Sequence, residues 1–138
     1  MKMRNKVISV CALLLLLVHS GAMAEVHAYL YNLHAEAKYV GKNVSNEQMD
    51  EAVAKEVKSG MPGWTYNGKV GKLSKAEKEI FDRALCQYDL ASGDVYLVVI
   101  FLNNYSQAYR VYVKINSVST NGGFNYYYSD ITAWNRNY

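Results

Sequence analysis

From Ser45 onward the apolar residues recur every three or four positions. Met49, Ala52, Val53 and Val57 fall on one stripe, which predicts an amphipathic helix. Ser45 with Gln48 three residues later is a capping-box pattern, acids fill the first turn, and Gly60 stands just past the end. The same signature returns at Ser74 and Glu77, followed by a stripe of Ile80, Phe81, Ala84, Leu85 and Tyr88. Residues 25 to 40, EVHAYLYNLHAEAKYV, fit two templates. Val26, Leu30, Leu33, Ala37 and Val40 share a helical stripe with Gly41 as a stop, while the tyrosines suit a strand; helix is the favoured reading.

The pattern changes after Asp94. DVYLVVIFL, 94 to 102, is apolar at both parities, as in a strand covered on both faces. After an NNYS turn, QAYRVYVKI alternates, with Tyr109, Val111, Val113 and Ile115 on one side and Arg110, Tyr112 and Lys114 on the other. STNGG turns again, and FNYYYSDITAW reads as one tyrosine-rich final strand. The expected fold is therefore α+β: two to three N-terminal helices packed on a C-terminal antiparallel β-meander.

A leader changes how the composition is read. Lys2, Arg4 and Lys6 precede an apolar run from Val7 to Val18, and Ala22-Met23-Ala24 offers a cleavage site, so residues 1–24 read as a secretory signal and 25–138 as a single domain. The run is too short to span a bilayer, and no later stretch is longer. Three of the 15 Lys and Arg fall in the leader and none of the 12 Asp and Glu do, so the remainder is neutral. A neutral chain has no global field to draw in nucleic acid. The expected destination is the periplasm or the medium.

Candidate chemistry is sparse. GWTYNGKV, 63 to 70, imitates a phosphate-binding loop, but a helix precedes it and Val70 stands where a hydroxyl should hold magnesium. Asn67-Gly68 reads instead as a two-residue hairpin turn. His27 and His34 are the only histidines after the leader. On a helix they lie roughly 10.5 Å apart in rise, and on one strand their odd spacing puts them on opposite faces, so neither arrangement offers a metal site without help from elsewhere. Cys86 is the only cysteine after the leader, which excludes an internal disulfide in the processed chain and leaves an intermolecular one open. No nucleophile elbow or paired acid–base motif occurs. No enzyme activity, cofactor or metal is expected.

Contact residues are the remaining candidates. All 13 tyrosines lie beyond the leader, and tyrosine gives rigid contact area with a polar tip. Trp64, Tyr66, Lys69 and Lys72 around the expected turn, with Tyr112, Tyr126, Tyr127, Tyr128 and Trp134 on the sheet, are the partner-binding candidates. VSNEQMDEAVAKEVKSG, the Trp-bearing connector with Lys69 and Gly71, and the sheet ending in YYYSD together resemble a small exported family that includes YebF and the colicin M immunity protein. The resemblance covers roughly 44 to 130. It implies a cystatin-like sheet wrapped on helix and an envelope protein that acts by binding another protein, as an inhibitor or immunity protein does. A second likeness, FDRALCQYDLASGDVY from Phe81 to Tyr96, is similar to the helix-to-strand passage of glycan-binding toxin subunits, and implies a self-assembling, sugar-binding homo-oligomer.

Overall fold

The computed structural model describes residues 23–28 and 32–138. The expected leader lies outside them, apart from Met23 and Ala24, which open the first strand. The elements run β1 (Met23–Ala28), β2 (Leu33–Lys42), α1 (Asn46–Ser59), β3 (Trp64–Val70), α2 (Lys75–Cys86), β4 (Asp94–Leu102), β5 (Gln107–Val118), β6 (Phe124–Tyr128) and β7 (Ile131–Arg136). Every pairing is antiparallel, in the order β1-β2-β4-β5-β7-β3, with β6 also on β5. The fold is α+β, with two helices and a seven-stranded sheet among the described residues. Among the described residues no helix is long and apolar enough to cross a membrane.

Both helices start where the caps predict. Ser45 Oγ accepts from the Gln48 amide and Ser74 Oγ from the Glu77 amide, and each partner side chain returns the bond, so two amides without helical partners are satisfied at each end. The helices lie on opposite faces of the sheet. Ile80, Phe81, Ala84 and Leu85 of α2 join Ala35, Ala37, Val98, Ile100, Val111, Val113 and Ile115 in the main core. On the other face, α1 sends Glu56 to Arg110 and Tyr112 and Asp50 to Tyr127. Met49 and Val53, on the same side of α1 as Glu56, are buried.

Three expectations fail. The described part of residues 25–40 is not a helix: 25–28 belong to β1 and 33–40 to β2, Val26 pairs with Ala35, and both are buried. Their helical stripe is a coincidence of spacing; burial of Val26 on β1 and of Leu33, Ala35 and Ala37 on β2, all on one face of the pair, decided the outcome. The helices therefore do not form an N-terminal layer but sit between strands. Asn67-Gly68 is not a hairpin turn. Gly68, at φ +102, lies where the β3–β7 register shifts, so the left-handed residue makes a bulge within β3. The last strand is two strands, paired end to end along β5. Ser129 fills the gap: its amide bonds Tyr112 O, and its Oγ accepts the Tyr112 amide that the broken ladder leaves over.

Candidate functional site

The structure disperses the predicted contact residues. Trp134 is 1% exposed, with its indole N–H donating to Thr132 Oγ1 at 2.8 Å, so it is a core residue and not a contact residue. Its place on β7, between β5 and β3, accounts for that burial. Tyr66 packs edge-on against it at 5.3 Å. Tyr112 is half-buried beside Glu56, and Tyr127 is tied to Asp50 of α1. Lys69 forms an exposed ion pair with Asp130 at 3.0 Å.

Lys72, Tyr126 and Tyr128 do come together. With Leu73, Lys78 and Phe81 they line a groove of about 210 Å³ between α2 and β6. The Tyr126 hydroxyl donates to Asp82 at 2.9 Å, and the Lys78 ammonium stands 5.2 Å from the centre of its ring. Burial pushes this hydroxyl up to about 12. Tyr128, on the same face two residues on, is 43% exposed. Phe81 lies 5.6 Å from the Tyr126 ring and 6.3 Å from that of Tyr128, which makes it the aromatic floor of the groove.

A second cluster escaped the sequence reading. The hairpin pairs His27 with His34 and Glu25 with Glu36, all four on the face that α2 does not cover. The two imidazoles stack with centroids 4.0 Å apart and planes 8° from parallel. Glu25 Oε1 lies 3.4 Å from His34 Nε2 and 4.0 Å from His27 Nε2, and Glu36 Oε2 lies 3.9 Å from His34 Nε2. The expectation that the histidines cannot meet is overturned, because the chain reverses between them. A legible signal existed: Glu25-Val26-His27 and His34-Ala35-Glu36 are mirror images, the pattern of a hairpin with one polar and one apolar face.

The β4–β5 loop completes this cluster. Asn103, Asn104 and Tyr105 take φ of 50°, 57° and 67° in succession, a backbone that asparagine tolerates and tyrosine rarely adopts. The loop is held by the Ser106 amide on Asn103 O at 3.2 Å and by Arg136 Nε on Tyr105 O at 3.0 Å. Tyr105 is thereby brought to His34, its hydroxyl hydrogen-bonded to Nδ1. The Arg136 guanidinium also lies 4.8 Å from the ring centre of Trp64, which stands 6.2 Å from Phe101. His27, Asn32, Leu33, His34, Phe101, Asn104 and Tyr105 enclose a cavity of about 260 Å³.

Two chemistries are available here. Burial, with the neighbouring charge of His27, lowers the proton affinity of His34 against the opposing pull of Glu25, so His34 favours its neutral, ligand-competent form. Burial, then Glu25, raises the Glu36 carboxyl. Glu25, His27 and His34 offer ligand atoms within 4.8 Å of one another.

Cys86, the last residue of α2, is half-buried and disulfide-bonded in the full chain, so it is not a lone thiol there. Cys11, the one other cysteine of the sequence, lies outside the described residues. Comparison of the chain with protein-family models, curated proteins and solved structures returned no match.

Proposed function

We propose that the protein is an exported envelope protein, periplasmic or secreted, that acts by binding another protein, as an inhibitor or immunity protein would, and not by turnover. The observation that carries this reading is the α2–β6 groove, where exposed Tyr128 and Lys72 flank Tyr126, Leu73 and Lys78 over a Phe81 floor. An aromatic floor with cationic rims fits a partner segment that mixes apolar and acidic side chains. Aromatic anchors of this kind dominate binding energy at protein interfaces. The resemblance to the exported family, and the cystatin-like plan it implies, belong to this proposal; the packing of α2 on one face of the sheet supports that reading.

The test is capture from a native envelope fraction by the wild-type chain and by a Tyr128→Ala, Lys72→Glu variant. A protein retained one-to-one by wild type and bound at least about tenfold more weakly by the variant supports the reading. Retention of the same proteins by both counts against it. A ring-sized assembly that binds immobilised sugars would favour the glycan-binding alternative instead.

A further inference from the structure

We propose that the β1–β2 hairpin holds a divalent late transition-metal ion, of the zinc class, through His27, His34 and Glu25, with Glu36 available as a fourth ligand. The inference is independent of the α2–β6 groove and rests on different residues.

The donor set selects the ion. Two imidazole nitrogens and a carboxylate oxygen suit Zn²⁺, Ni²⁺ and Cu²⁺, whereas Mg²⁺ and Ca²⁺ want all-oxygen shells and Cu⁺ wants sulfur. His27 and His34 also line the cavity of about 260 Å³, while Glu25 and Glu36 stand outside its lining.

A second observation points to a missing ligand. His34 is 7% exposed, yet its Nε2 has no hydrogen-bond partner of proper geometry, although Glu25 Oε1 stands 3.4 Å away. A buried polar atom is rarely left so. Nε2 points instead into the space that it shares with Glu25, Glu36 and His27.

At the other nitrogen, Tyr105 supplies the outer partner that metal-bound histidines ordinarily have. With Nε2 on a metal, Nδ1 carries the proton and donates it to the Tyr105 oxygen. The tyrosine hydroxyl, able to donate or accept, thus accommodates the tautomer that binding requires and holds the ring in place.

Loading the site calls for one adjustment. Parallel stacked rings cannot both direct their lone pairs at one ion, and tetrahedral ligands around zinc sit about 3.3 Å apart, closer than the 4.8 Å limit of the cluster. The His27 side chain is 39% exposed, so loading requires its ring to leave the stack on His34, while His34 stays fixed by burial and Tyr105.

The test is calorimetric titration of the full 138-residue chain with Zn²⁺, and with Mg²⁺ as control. The full chain matters, because one cut after Ala24 would begin Glu-Val-His. Its terminal amine, two amide nitrogens and imidazole chelate Cu²⁺ and Ni²⁺ without His34. The expected result is one Zn²⁺ per chain with micromolar affinity or better and no response to Mg²⁺. His27→Gln and Glu25→Gln, both exposed and so safe for folding, should each weaken Zn²⁺ by at least about tenfold, and Tyr105→Phe by about tenfold. Failure of wild type to bind Zn²⁺, or equal affinity in wild type and His27→Gln, overturns the proposal.

Discussion

Against α2 the sheet presents Ala35, Ala37, Val98, Val111, Val113 and Ile115, while against α1 it presents Arg110, Tyr112 and Tyr127. The first face is joined by volume: the small alanines of β2 and the bulky Phe81 and Leu85 of α2 share one close-packed core. The second is joined largely by direction, through a bidentate Glu56–Arg110 pair at 2.7 and 3.2 Å and through tyrosine hydroxyls on carboxylates. A volume-matched face has to be covered completely. A hydrogen-bonded face can run on past its helix into water, and it does so at Glu25 and His27.

The largest test of this contrast is Phe81→Ala. It empties the dry face and should cost about 3–5 kcal/mol in urea unfolding. Glu56→Gln comes next. It leaves Arg110 half-buried without its carboxylate and should cost about 2 kcal/mol, with most of that loss recovered in a double-mutant cycle with Arg110→Leu. If the two single variants cost the same, the contrast between volume and direction fails.

The smallest effect is alkaline. Tyr126 keeps its proton to about 12 in the folded chain against an ordinary 10.0, so folded protein binds more protons than unfolded protein across that window. Its contribution is complete below about pH 10 and is lost as pH rises through 12. Tyr126→Phe should flatten the stability slope above pH 10, as followed by unfolding at stepped pH and by tyrosinate absorbance.

The sequence made some parts of this molecule plain and concealed others for physical reasons. Capping boxes are local, so Ser45 and Ser74 announced both helices before any tertiary information was used. β4 and β5 were plain because burial on one or two faces writes itself directly into parity. The β1–β2 arm was hidden because Ala, Glu, Lys and Leu are good helix formers, and only the sheet and α2 override that preference. The break at Ser129 has no local signature, since its role is to answer an amide on Tyr112. The histidine cluster was missed for the same reason as the hairpin. Spacing within one element cannot describe two elements that face each other, and Tyr105 joins them through a backbone conformation that no propensity foretells. Of the proposed groove, Lys72, Tyr126 and Tyr128 are legible as contact residues, whereas Phe81 reads only as part of the apolar stripe of α2.

The position of β7 sets an order of assembly. β3 is made early, yet its partner lies roughly 60 residues further on, and β7 must also seat against the first half of β5. A nascent chain therefore carries β3 as an open edge, with Trp64 lacking the Arg136 cation over its ring, until the last strand emerges. Since Arg136 also holds the Tyr105 carbonyl, the loop beside His34 is shaped by a residue 31 positions further along the chain. Assembly of the histidine pocket therefore waits on the docking of β7.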